Sequence, residues 1–239
     1  MQNSVGPSHA DPEDDSSKQA MGLQSAERIR ALSDGIFAFA MTVLVLDIRL
    51  PELGHAMSDA AFVSALIAQT PKALSFLLSF VVLAMYWIAH HNTFLLVTRS
   101  NRPLIVLNLA FLLCIVAVPF AASFLGQAGP IRAAIVAYAS ILIVTSLVLG
   151  LLVGYALGPS GLVKNSDALR ELRRAALIRI GIPIGVYAAS IALAFVSRAF
   201  SIAVYVALPL AYLIPSRVDH WVSNASVRGA FVAKDSRTL

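Results

Sequence analysis

The chain has 239 residues, 58% of them hydrophobic and 13% charged, with a mean hydropathy of +0.78. A soluble domain carries about 25% charged residues, so this composition excludes a freely soluble globular protein. At roughly 20 apolar residues per bilayer crossing, there is room for about six membrane helices and none for a large soluble catalytic domain.

Residues 1–25 are polar and small, with an acidic cluster at Asp11, Glu13, Asp14 and Asp15. They lack the apolar core of a cleaved signal peptide and bury too little apolar surface to order themselves, which predicts a disordered cytoplasmic segment. Six apolar segments follow, near Leu32–Leu50, Leu74–Val97, Leu104–Leu125, Ile131–Leu157, Ala175–Val196 and Phe200–Ile214. Segments of this kind in lipid must satisfy their own backbone groups, so all six read as helices. The expected fold is all-α: a polytopic membrane domain of six transmembrane helices over residues 26–215. Residues 52–72 read as an external loop with a short interfacial helix at Ser58–Gln69. Residues 216–239 read as a polar cytoplasmic tail.

The basic residues set the orientation. With six spans, both termini and the loops at 99–103 and 158–174 share one side, which carries 14 of the 18 Lys and Arg residues (Arg179, one turn inside, included). Arg49, Lys72, Arg132 and Arg198 fall on the other side. The positive-inside rule then makes both termini cytoplasmic. The net charge of +5 is accounted for by topology, and no nucleic-acid partner is expected. The lone Cys114 excludes an intrachain disulfide and a cysteine-based metal site.

Two segments are unusual. The sixth is short. The first is bounded by Asp34 and Asp47, only about 20 Å apart at ~1.5 Å per residue, against a hydrocarbon core of about 30 Å. A lipid-facing helix would be penalised for those acids, whereas a helix lining a water-filled path would place them in its vestibules. The first helix is therefore the candidate functional element.

At its inner end lies Arg28-Ile-Arg-Ala-Leu32-Ser33-Asp34. Arg30 and Asp34, four residues apart, share a helix face. A carboxylate at the membrane edge needs a partner. A salt-bridged helix start at the interface satisfies that need, and so does a dedicated polar cluster. This stretch resembles the signature of the lysosomal-type transmembrane potassium channel family, especially its shorter bacterial branch: Arg, three residues, then Phe-Ser-Asp. Here Leu32 stands in place of Phe. The resemblance continues through Gly35-Ile-Phe-Ala-Phe-Ala-Met-Thr42 to Asp47, through Trp87-Ile-Ala-His90-His91-Asn-x-Phe94 in the second segment, and through Asn108 and Pro119 in the third. The last three segments match in hydropathy rather than in motif.

The resemblance implies six-helix subunits assembled as a homotetramer around a central pore lined by the first helix. It implies selectivity from rings of apolar side chains, not from a TVGYG carbonyl filter. The ring positions fall here on Phe39, Val43 and Leu46, whose spacing of four and three places them on one helix face. An apolar constriction gates by dewetting. Phe39 departs from the family's isoleucine: four phenyl rings narrow the path or tilt aside. Asp47 would form an acidic ring at the pore mouth that concentrates cations, or a surface pair with Arg49. Thr42 offers a hydroxyl near the constriction or bonds back to its own backbone. The resemblance further implies an inner-end polar cluster of Arg28, Ser33, Asp34, His90 and Asn108. A histidine there, with an unperturbed pKa of about 6.5, would confer pH sensitivity. A zinc site at His90 and His91 is disfavoured, because adjacent positions on a helix diverge and no further ligands converge.

Glycines recur every four residues at Gly150, Gly154 and Gly158, and again at Gly181 and Gly185, a spacing that lets helices approach closely. Asn224-Ala-Ser226 matches a glycosylation acceptor but falls on the cytoplasmic side. There is no Walker motif, HExxH or serine triad, so no enzyme activity, cofactor or metal is expected. The functional expectation is a potassium-permeable channel of a bacterial plasma membrane, with potassium, protons or other monovalent cations and the lipid bilayer as partners. The alternatives are a proton-coupled or other secondary transporter, or a non-conducting scaffold sealed at Phe39.

Overall fold

The computed structural model describes residues 12–49, 58–128, 131–159, 162–163 and 167–212. Helix α1 runs Pro12–Val43 and tightens into a 3-10 turn over Leu44–Asp47. It is followed by α2 Asp59–Ala68, α3 Thr70–Leu96, α4 Arg102–Ala128, α5 Arg132–Ala156, α6 Asp167–Val196 and α7 Arg198–Tyr212. The tail 216–239 and Asn224 lie outside the described residues.

Among the described residues, five helices are long and apolar enough to cross a membrane: Ala26–Asp47, Thr70–Leu96, Arg102–Gln127, Arg132–Ala156 and Leu169–Val196. The sixth apolar segment forms α7, 15 residues long, or about 22 Å at ~1.5 Å per residue. The apolar segments therefore appear as helices in the expected order. Their ends differ from the hydropathy reading. Helix α1 starts at Pro12, so residues 12–25, expected to be disordered, are helical. Proline at the first helical position and acids in the first turn both suit a helix N-terminus. Likewise α6 begins at Asp167 rather than near Ala175, because Leu169 and Leu172 are buried in the core. Hydropathy detects the stretch that faces lipid, not the length of the helix.

The short helix expected at Ser58–Gln69 is α2, whose N-cap Ser58 accepts from the Ala61 backbone N–H at 3.3 Å. None of its residues is buried.

Helices α4, α5 and α6 form the most closely packed part of the bundle, with α3 and α7 against it. The Gly150–Gly158 stripe explains one contact. A Cβ at Gly150 would sit 3.7 Å from Ile180, and one at Gly154 3.8 Å from Leu177, so this stripe packs within the chain against α6. Positions Gly181 and Gly185 have nothing within 4 Å. Buried tyrosine and serine hydroxyls pair across the helices, as an apolar surround favours. Tyr86 OH donates to the Leu142 carbonyl at 2.9 Å, and Ser79 and Tyr138 share a 3.0 Å hydrogen bond. Helix α1 sits at the edge of the bundle: among the described residues it packs against α3 and α4 and no other long helix.

Candidate functional site

One stripe of α1 is buried: Ala26, Ile29, Ser33, Phe37, Ala40 and Leu44. Its spacing of three and four residues is that of a single helix face. At the centre of this face Ser33 is fully buried and donates to the Ile29 carbonyl at 2.8 Å. Its oxygen accepts from Asn108 Nδ2 at 3.1 Å. Asn108 Oδ1 in turn accepts from His90 Nε2 at 2.8 Å. The His90 ring stacks on Phe94 and Phe111 at centroid distances of 4.3 and 5.6 Å, with Phe37 at 6.0 Å. This is a buried chain of hydrogen bonds joining α1, α4 and α3 inside an aromatic cage.

Asp34 stands beside this chain rather than in it. It is exposed, and Oδ1 accepts the Trp87 indole N–H at 2.8 Å. Trp87 stacks on His91 at 4.9 Å. Arg28 is exposed and, among the described residues, has no hydrogen bond to Ser33, Asn108 or His90. The arginine that anchors α1 is Arg30: its guanidinium donates to the Phe94 and Val97 carbonyls at the end of α3. The Phe94 carbonyl also accepts the C-cap Val97 N–H at 3.3 Å, and a cation at this helix end complements the helix dipole. The sequence holds a signal for this split, since residues two apart fall on opposite sides of a helix.

The opposite face of α1 is open. Phe39 is 64% exposed, Leu46 62% and Leu32 48%, and Thr42 is exposed with its hydroxyl donating to the Phe39 carbonyl at 2.8 Å. Val43 is half-buried and lines a groove with Val116, Pro119 and Phe120. Phe39 and Leu46 thus share the open face, and Val43 sits on its flank.

Asp47 ends the 3-10 turn. Its Oδ1 accepts from Gln127 Nε2 at 3.0 Å. A Cβ at Gly126 would come within 3.4 Å of Asp47 Oδ2 and 3.3 Å of Lys72 Cα, so glycine permits this close approach. Arg49 donates instead to the Leu46 carbonyl at 3.3 Å; the alternative Asp47–Arg49 pair is not formed. Gln127 was not singled out from the sequence, although a lone amide closing an apolar helix was its signal.

The family described as "Endosomal/lysosomal potassium channel TMEM175" matches residues 28–119, the stretch that holds the buried hydrogen-bonded chain together with Asp34 and Asp47. A protein of Streptomyces collinus named a potassium channel is 31% identical over 196 residues, 80% of this chain and 92% of that protein. The crystal structure of a lysosomal potassium-selective channel TMEM175 homologue from Chamaesiphon minutus superposes with a TM-score of 0.68 at 29% identity. It covers 80% of this chain and 97% of that one. The endosomal/lysosomal proton channel TMEM175 of Gallus gallus is 36% identical over 103 residues, 41% of this chain but 20% of that protein. With nearly the whole of a relative matched in sequence and the same fold in a second, this chain belongs to the TMEM175 family of ion channels.

Proposed function

We propose that this chain is a potassium-permeable cation channel of a bacterial plasma membrane. Homotetramers would place the α1 helix of each subunit around a central pore, with both termini cytoplasmic. The observation that carries this reading is the two-sidedness of α1. One face is locked to α3 and α4 by buried hydrogen bonds, while the other leaves Phe39 and Leu46 more than 60% exposed. An apolar face at the edge of a subunit, ending in acids, suits a constriction between vestibules better than a lipid contact. Phe39, Val43 and Leu46 are its candidate rings, with Thr42 adding a hydroxyl and Asp47 an acidic mouth. Ser33, His90 and Asn108, with Arg30, hold the inner end, and Asp34 bonds Trp87 beside them. The potassium-channel names of the bacterial relatives support the choice of ion.

Reconstitution into liposomes under a potassium gradient tests this. The expected result is potassium flux that does not saturate and needs no counter-ion. Saturable, countertransport-stimulated flux would favour a carrier. A tetramer without flux would favour a scaffold sealed at Phe39. Ion substitution on the same preparation separates potassium from protons, the ion named for the vertebrate relative.

A further inference from the structure

Helix α1 carries two arginines near its inner end, and the structure gives them opposite surroundings. Arg30 is half-buried and spends its guanidinium on the carbonyls that end α3. Arg28 is exposed. At about 100° per residue, Arg28 and Phe39, eleven residues apart, stand roughly 20° from each other around the helix. Leu32, 48% exposed, lies between them on the same open face. Arg30, by the same geometry, is roughly 160° from Arg28, on the docked side.

We propose that Arg28 sets the electrostatic potential at the inner mouth of the conduction path and so determines how readily cations reach it from the cytoplasm. This rests on the channel reading above. If Phe39 faces the axis, Arg28 faces it too, about 16 Å further in at ~1.5 Å per residue. Rotation of the subunits would then make Arg28 a ring of positive charge, opposite in sign to the Asp47 ring at the outer end. Glu27 and Asp34, exposed carboxylates near Arg28, stand roughly 100° and 120° from it around the helix, off this face. A path faced by Arg28 at its inner end and Asp47 at its outer end thus concentrates potassium outside and depletes it inside. Its conductance is therefore asymmetric even between identical solutions. The asymmetry is greatest when screening is weak: the Debye length is about 30 Å at 0.01 M salt and ~3 Å at 1 M.

The test is patch recording of the full-length channel in symmetric potassium chloride. Inside-out patches give known sidedness. The unmodified channel is expected to pass less outward than inward current at about 10 mM and to become nearly symmetric at about 1 M. Arg28→Gln should raise outward current about twofold or more at low salt, with little change at high salt. Arg28→Lys, which keeps the charge, should behave as the unmodified channel. Conducting Arg28→Gln channels with unchanged rectification would overturn the inference and leave the channel reading intact. If Arg28→Gln does not assemble, the unmodified channel decides: rectification indifferent to salt overturns the inference. No current from any preparation would overturn both.

Discussion

Asn108 on α4 donates a hydrogen bond of 3.1 Å to Ser33 on α1. That contact places a polar pair at the centre of an apolar interface, where losing Ser33 leaves Asn108 Nδ2 without its acceptor and losing Asn108 leaves His90 Nε2 without its own. Asn108 also accepts from His90, so Asn108→Leu removes two partners and Ser33→Ala only one. In membrane proteins such bonds average about 0.6 kcal/mol, while a stranded buried group costs roughly 1–3 kcal/mol. Asn108→Leu should lower the stability of the detergent-solubilised protein by about 2 kcal/mol and Ser33→Ala by about 1 kcal/mol or less. Thermal unfolding followed by size-exclusion chromatography checks the order. A neutral Asn108→Leu would mean that the chain of hydrogen bonds does not hold α1.

Phe39 offers the most direct probe of the open face. Phe39→Ala removes a side chain that is 64% exposed in the subunit, so it leaves little cavity behind and stability should change by less than ~0.5 kcal/mol. If four phenyl rings narrow the path, potassium flux should rise severalfold, with weaker discrimination between cations. Flux assays on Phe39→Ala and Phe39→Ile read this directly. Unchanged permeation in both variants would remove Phe39 from the constriction.

Asp47 has both an electrostatic and a mechanical reading, and one pair of variants separates them. Asp47→Asn removes the charge yet keeps an oxygen to accept from Gln127. It should reduce inward current about twofold at low ionic strength and less at high. Gln127→Leu keeps the charge and breaks the contact. If Asp47 acts mainly by tying the 3-10 turn to α4, Gln127→Leu should have the larger effect at every salt concentration.

Gly154 on α5 and Gly158 in the turn after it should differ sharply from one another. At Gly154 an added Cβ meets Leu177 at 3.8 Å, an ordinary contact, so Gly154→Ala should be neutral or slightly stabilising, since glycine in a helix costs about 0.5–1 kcal/mol relative to alanine. At Gly158 the same atom would meet the Gly154 carbonyl oxygen at 2.8 Å, and backbone cannot swing aside as a side chain can. Gly158→Ala should therefore cost about 1–3 kcal/mol. Equal melting temperatures for the two variants would contradict the close packing of this turn.

Much of the architecture follows from the sequence alone. The number and order of apolar segments, the charge asymmetry and the acid-bounded first helix are set by local composition, because lipid penalises each unpaired polar group wherever it falls. The spacing of Phe39 and Leu46 likewise marks one side of a helix. Composition was a poor guide to residues 12–25 and to the start of α6. A polar stretch continuing an established helix needs no apolar run of its own, since extending a helix costs far less than nucleating one. The family resemblance grouped Ser33, His90 and Asn108 with Arg28 and Asp34, and tertiary structure decided which of these meet. Ser33, His90 and Asn108 are separated by up to 75 residues and join only because α1, α3 and α4 cross at one level. The same crossing chose Arg30 over Arg28 as the anchor, placed Gln127 rather than Arg49 against Asp47, and turned Val43 toward α4 while leaving Phe39 in the open. Spacing along the chain determines which residues share a face. Which face is docked depends on the neighbouring helices.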